Sequence, residues 1–321
     1  MGSFYNISTK YENSIYERGE ENYYVVKIKN IDGNTDVNPS SVSITIYNPC
    51  MGAEVSSASM VTSEVGIYHY AYTIPADATY GKYEIKVTAT DNTTIYRDKF
   101  FVLPWNTIYD VRRYSGITSQ KSISDHDIAA IIWEAYIEAL RKVYLFRHNE
   151  SPRCNPDTGA LFDGVNTTFA TKHSQLADIN GDGVITGYGE ISCGTDVDGH
   201  WVDSNGDCHQ LKITVLDAKC GKLTITQLDG TPIPNSTCLV KIDYYTKWRT
   251  FNDSVFKSAV AFLAAHKCIV RFRELDKATL ADLHSNKTVI LDERNRMEKA
   301  YKTAMKSISK PVIGAGMLPG E

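Results

Sequence analysis

The sequence predicts an α+β chain of several domains: an all-β sandwich first, then a helical unit interrupted by a small β-rich insert. Three observations predict it. Short period-2 runs, with turn residues every ~8–12 positions, fill roughly the first hundred residues. Two segments, Ser124 to about Phe146 and Asn252 to about Leu275, carry apolar stripes at helical spacing, and each stripe needs a partner. Between them lies an acidic, Gly-rich, β-prone stretch. The expected domains are residues 1–104 (sandwich), 105–150 with 251–321 (helical), and 151–250 (insert).

In the sandwich, Tyr23 to Asn30 alternates, with Tyr23, Val25 and Ile28 read onto one side, before a turn at Asp32-Gly33-Asn34. Val42 to Tyr47, Gly66 to Tyr72, Tyr83 to Ala89 and Thr94 to Val102 follow as strands, six or so in all. Leu103-Pro104-Trp105-Asn106 reads as a linker. Tyr109 to Ile117 reads as a short helix stopped by Gly116. Ser124 is placed to cap the first long helix, with Asp125 and Asp127 in its positive first turn. Ile128, Ile131, Ile132, Ala135, Ala139, Leu140 and Val143 form its stripe, and Arg147-His148 suit its C-terminal end. In the insert, Leu211 to Leu216, Lys222 to Leu228 and Cys238 to Tyr244 alternate as a small meander. Asn252 or Asp253 caps the next helix, whose stripe runs from Val255 and Phe256 to His266. A charged helix from about Val289 to Ile308 ends before Pro311, and a Gly-rich tail follows.

The chain has 321 residues, 42% hydrophobic and 22% charged, which fits two or three folded domains. Its 20 Tyr against 10 Phe suit either β-strands or a surface that meets partners. Charge is uneven. Residues 1–110 hold 8 basic and 13 acidic side chains, residues 151–250 hold 8 and 12, and residues 251–321 hold 12 and 8. That balance is too weak for a dedicated DNA reader. The opening residues lack a signal-peptide pattern, and no apolar run is long enough for a membrane span, so a cytoplasmic origin without membrane contact is expected. The seven Cys show no CxxC pair; Cys154, Cys193, Cys208, Cys220 and Cys238 sit in or beside the insert. Cys193 could bridge to Cys208, Cys208-His209 could contribute to a zinc site, and buried free thiols are the favoured alternative. No phosphate-cradling loop, nucleophile elbow or HExxH is present, and His126 and His266 read as packing or capping residues, so no enzymatic activity is expected.

The candidate site is the acidic loop of the insert. Asp178, Asn180 and Asp182 occupy the first, third and fifth places of a calcium loop, with Gly183 at the sixth. Val184 would offer its main-chain carbonyl, Ile185 packs inward, and Thr186 holds the ninth place. Alternate residues on a tight loop aim hard oxygens at one centre, which suits Ca2+ in a structural role. The stretch resembles EF-hand and dockerin loops. It departs from them at the twelfth place, where Gly189 stands and the acidic Glu190 comes one residue late. Either Glu190 reaches the ion or a distant carboxylate, Asp196 or Asp198, completes the shell. A weaker acidic cluster continues through Asp203, Asn205 and Asp207.

Two resemblances extend this reading. Gly66-Ile67-Tyr68 through Tyr72-Thr73-Ile74-Pro75 to Gly81-Lys82-Tyr83 resembles bacterial and phage immunoglobulin-like modules, which implies fold and a spacer or decorating role. Tyr109 to Ile117 with Ile123 to Ile128, the Asp178 to Gly183 loop, and Val240 to Tyr245 with Asn252 to His266 resemble, in order and spacing, the head–tail connector (adaptor) proteins of tailed bacteriophages and archaeal tailed viruses. That resemblance implies a structural virion protein assembled in the host cytoplasm. It implies a homo-oligomeric ring of about twelve copies in the neck between capsid and tail. It further implies portal binding through the C-terminal segment, contact with a tail or neck protein, and passage of genomic DNA through the lumen without sequence recognition. Arg271 and Arg273 would serve intersubunit or lumen contacts. The competing expectation is a calcium-binding cell-surface or secreted adhesion module.

Overall fold

The computed structural model describes residues 5–10, 14–30, 32–33, 35–89, 94–117, 123–190, 194–234, 239–247, 253–275 and 287–308. Their order of strands and helices is that of a mixed α+β protein, with three β-sheets and four helices among the described residues. Two units are distinguished: Met1–Ala135 with Ala261–Glu298, and Tyr136–Val260 with Lys299–Glu321.

Nine strands open the first unit: β1 (Tyr5–Lys10), β2 (Ile15–Tyr16), β3 (Glu21–Asn30), β4 (Val42–Tyr47), β5 (Ala53–Ser59), β6 (Val61–Glu64), β7 (Ile67–Thr73), β8 (Gly81–Ala89) and β9 (Thr94–Val102). One sheet runs β1-β3-β7-β6 and the other β2-β9-β8-β4-β5. Alternation puts Tyr24, Val26 and Ile28 of β3, Ile44 and Ile46 of β4, and Tyr83, Ile85 and Val87 of β8 into one core. Burying each such side chain is worth about 1.5–3 kcal/mol. Phe100 is shared between Tyr83, stacked at 5.1 Å, and Tyr16, edge-on at 5.6 Å. The expected side of β3 is corrected: Tyr23 is 45% exposed, whereas Tyr24 and Ile28 are buried. Ile28 shares its parity with Tyr24 and Val26, whereas Lys27 and Lys29 share that of Tyr23 and Val25, so the even-numbered side faces the core. The sequence reading also missed β5 and β6. Both are largely exposed, so neither carries an alternating apolar signal.

The helical part of this unit is tied by one arginine. Helix α1 (Ile108–Ser115) stops at Gly116, whose φ of 70° is the left-handed cap. Ser124 caps α2 (Asp125–Val143): its Oγ accepts from Asp127 N at 3.1 Å and donates to Asp127 Oδ2 at 2.7 Å. Arg112 of α1 donates from Nε to Asp125 Oδ1 at 2.8 Å, from Nη2 to Ile123 O at 2.9 Å and from Nη1 to Ile117 O at 3.2 Å. One planar fork therefore ties the end of α1 to the start of α2. Two further helices follow, α3 (Asp253–Leu275) and α4 (Lys287–Ile308). Within this unit Tyr114 of α1 meets Phe262 of α3 at 4.8 Å. Arg271 of α3 donates to both carboxylate oxygens of Glu134 in α2, each at 2.8 Å, so it is engaged inside its own chain. The side chain of Arg273 and the expected cap Asn252 lie outside the described residues.

The second unit carries a six-stranded sheet of β10 (Tyr144–Glu150), β11 (Thr168–Ala170), β12 (Val197–Val202), β13 (Cys208–Asp217), β14 (Lys222–Gln227) and β15 (Leu239–Lys247). Its order is β10-β15-β12-β13-β14-β11. The expected meander is thus part of a larger sheet, with β12 interposed between β13 and β15. The first long helix is also shorter than expected. It ends at Val143, and Tyr144–Glu150 pairs with β15 instead, with Tyr144 opposite Lys247 and Phe146 opposite Tyr245. The Phe146 and Tyr245 rings lie 4.8 Å apart, a cross-strand contact that overrides helix propensity. Tyr136 of α2 and Phe256 of α3 meet at 6.1 Å. Helix α4 buries Tyr301, Met305 and Ile308, and Lys142 Nζ sits 4.8 Å over the Tyr301 ring. The described part of the C-terminal segment is therefore the expected helix, packed through these residues; residues 309–321 lie outside the description.

Arg112→Ala should cost about 2–3 kcal/mol in urea unfolding, because it strands Asp125 and two carbonyls. Arg112→Lys should recover less than half of that loss, since an ammonium cannot reproduce the fork.

Candidate metal centre

The acidic loop is organised by Asp178. Its Oδ1 accepts from Gly181 N at 2.6 Å and Asp182 N at 3.2 Å, and its Oδ2 accepts from Gly183 N at 2.6 Å. Asn180 Oδ1 takes Asp182 N at 3.0 Å, and Asp182 Oδ1 takes Val184 N at 2.9 Å. The short acidic side chains thus wind the loop around themselves, as Asx turns do. Thr186 is buried and donates from Oγ1 to Gly194 O at 2.7 Å. Ile185 packs on the insert core, as expected, and the Val184 side chain is exposed.

Asp196 is the distant carboxylate brought to this loop. Its Oδ1 accepts from Ile179 N at 2.8 Å and its Oδ2 from Thr186 N at 3.0 Å, so it bridges the two ends of the loop. Glu190 instead curls onto its own turn and accepts from Gly187 N at 2.7 Å. Asp198 falls on the exposed face of β12, where it accepts from Gly199 N and Gln210 Nε2. Asp203, Asn205 and Asp207 form the β12–β13 hairpin turn: Asp203 Oδ1 accepts from Asn205 N at 2.8 Å and Asp207 N at 2.9 Å. Those bonds hold the Asp203 carboxyl below its usual range. His209 stacks on Trp201 at 4.5 Å and its Nε2 lies 3.3 Å from Asp203 Oδ2. Cys208 is an exposed free thiol, which removes the Cys193–Cys208 bridge; Cys154 and Cys220 are also free, and Cys193 and Cys238 lie outside the described residues. Exposure of Cys208 and Cys220 departs from the expected buried thiols, and Cys50 is disulfide-bonded.

Three carboxylates are therefore gathered in one place. Asp182 is 4% and Asp196 3% exposed. Burial pushes the Asp178 carboxyl up to about 7, against the pull of the Gly183 and Gly181 amides, and the charges of Asp196 and Asp182 push the same way. Burial also takes Asp196 to about 6. Among the described residues, neither Asp178 nor Asp196 has a basic ion-pair partner. The phenol of Tyr144, the residue after α2, is raised by burial and by the charges of Asp178 and Asp196. The loop therefore lies near the end of α2 that carries the helix's partial negative charge.

A divalent cation fits the chemistry of this donor set: hard oxygens from Asp178, Asn180, Asp182, Thr186 and Asp196, with a carbonyl at Val184. The oxygens face their own amides, and among the described residues no group of three or more His, Cys, Asp or Glu is arranged to hold an ion. Loading would need side chains to turn by a bond rotation, with Asp196 taking the role expected of Glu190. What the sequence reading missed is the seat of the loop. A Cβ at Gly181, whose φ is +74°, would lie 2.5 Å from Ile137 Cδ1, 2.9 Å from Leu140 Cδ1 and 3.1 Å from Tyr136 Cε1. The loop rests directly on α2, with no room for a side chain. Its only sequence signal was the glycine itself.

No protein-family model and no curated protein matches the sequence. Solved structures are similar only distantly. Trypsin-activated α2-macroglobulin from Escherichia coli is 12% identical over 71% of this chain and 13% of its own, with a TM-score of 0.28. A β-glucosidase from Listeria innocua in complex with glucose is 14% identical over 31% of this chain and 16% of its own, at 0.20. Titin M4 is 10% identical over 32% of this chain and 96% of its own, at 0.22. The chain spans a small part of the first two, and likenesses this slight carry no argument about function. No helix among the described residues is long and apolar enough to cross a membrane.

Gly181→Ala should destabilise the protein by about 2 kcal/mol in chemical unfolding, through strain at positive φ and overpacking on α2. In chelator, folding should favour protonated Asp178 and Asp196, so the melting temperature should fall as pH rises from about 4 through about 7. Millimolar Ca2+ should raise it above pH 7 and do little at pH 5, where protons compete for the same oxygens. A melting curve indifferent to Ca2+ at pH 8 would remove the ion from this account.

Proposed function

We propose that the chain is a structural protomer of a head–tail connector ring in a tailed bacteriophage or archaeal tailed virus. One observation carries the reading. Helix α2 runs straight into β10, β15 ends just before α3 begins, and β10 and β15 pair side by side. The insert therefore leaves and returns at one place, as an excursion from a single helical unit. Contacts within each unit, Glu134 with Arg271 and Tyr136 with Phe256, support α2 and α3 as partners. In this reading the helices contribute to the ring wall and DNA passes through the lumen without sequence recognition. The β-sandwich, read as immunoglobulin-like, stands as a spacer or decoration. A Ca2+ held by the Asp178 loop and Asp196 is structural, and stiffens the insert where it meets α2. The C-terminal segment, Val289 to Glu321, binds the portal, and a tail or neck protein docks on the other side.

Isolated portal rings encoded alongside this chain should capture it, and electron microscopy should then show an added ring of about twelve copies. Deleting residues 309–321 should lower capture about tenfold while leaving the melting temperature unchanged. A chain that stays monomeric with portal rings present would contradict the proposal and would suit an adhesion module better.

A further inference from the structure

A second polar cluster lies at the far end of β10, apart from the acidic loop. Tyr244 is fully buried and donates from its hydroxyl to Glu150 Oε2 at 2.6 Å. The same hydroxyl accepts from His173 N at 3.2 Å, and His173 Nε2 lies 3.4 Å from Glu150 Oε1. Both oxygens of the one carboxylate are thus already engaged. Around it the fold places three cations. Arg147 stands opposite Tyr244 in the β10–β15 ladder. Arg153 is bridged to Ala170 through two backbone bonds, Arg153 N to Ala170 O at 2.6 Å and Ala170 N to Arg153 O at 3.4 Å. Two residues on, Lys172 adjoins His173. The charges of Arg147, Lys172 and Arg153 are all felt at His173, where burial and these cations hold the imidazole below its usual range and so favour its neutral form.

Among the described residues none of Arg147, Arg153 and Lys172 has an ion-pair partner, and Arg147 Nε is buried without a hydrogen-bond acceptor. Gathering unpaired cations costs self-repulsion, and a buried guanidinium N–H without an acceptor is destabilising. An oxyanion relieves both. We propose that Arg147, Arg153 and Lys172, backed by His173, form a binding site for a phosphate-class oxyanion. Two guanidinium groups and an ammonium match its spread oxygens, and the surplus of positive charge over Glu150 matches a dianion. Glu150 is a positioning residue here: it holds Tyr244 and His173 and so fixes the floor of the site.

The test is a titration of the full chain with inorganic phosphate against sodium chloride at matched ionic strength, followed by the side-chain 15N resonance of Arg147 and the ring resonances of His173. A saturable shift with phosphate and none with chloride is expected. A phosphate monoester such as glycerol phosphate serves as a second arm: equal affinity identifies free phosphate as sufficient, and tighter binding identifies an esterified source. Lys172→Gln, an exposed change that leaves the fold intact, should weaken phosphate about tenfold, and Arg147→Gln should weaken it at least as much. Overlapping phosphate and chloride titrations would overturn the proposal, as would unchanged affinity in Lys172→Gln and Arg147→Gln proteins that melt normally.

Discussion

A buried acidic loop seated against the last turns of α2 is the constraint on which the second unit depends. Asp178, Asp182 and Asp196 are drawn together by backbone amides of the same short segment, and Gly181 is packed on Tyr136, Ile137 and Leu140. Each amide bond stabilises a carboxylate, yet Asp178 and Asp196 still rise toward neutrality. Desolvation and mutual repulsion therefore outweigh hydrogen bonding at this site. The nearby negative pole of α2 adds to the same side. A proton relieves the imbalance, and at neutral pH a bound cation would do the same.

Helix α2 ends at Val143, where the chain passes into sheet pairing. As a strand, Tyr144–Glu150 lies flat beside β15, and Phe146 finds Tyr245 across the ladder. The excursion is thereby closed at its base by backbone pairing rather than hung on two flexible strands. Arg112 plays the matching part in the first unit, where one side chain ties α1 to the start of α2. Both junctions use directional polar contacts where the chain changes direction and leave the apolar stripes to fill the interior.

Much of this was legible from the sequence because the signals were local. Ser124 as a cap, Gly116 as a stop, and the strands Val42–Tyr47 and Thr94–Val102 depend on residues within a few positions of one another. The Asp178 loop was legible for the same reason. What failed was long-range or faint. The strands β5 and β6 are exposed edges with small polar side chains, so no period betrays them. Tyr144 to Arg147 suits a helix end or a strand equally well until β15 is known. Asp196 and Asp198 were equal candidates in sequence. The start of β12 separates them, since the strand's alternation turns Asp198 outward while Asp196, just before the strand, spans the loop.

The strand β10 joins two opposite charge surpluses. Its first residue, Tyr144, feels Asp178 and Asp196, while its far end holds Arg147 and Glu150 beside His173. In the two proposals a cation would balance the first surplus and an anion the second. A strand pinned at both ends in this way gains stiffness from its ligands without enlarging its apolar core. That suits an insert whose hydrophobic cluster is small beside that of the sandwich.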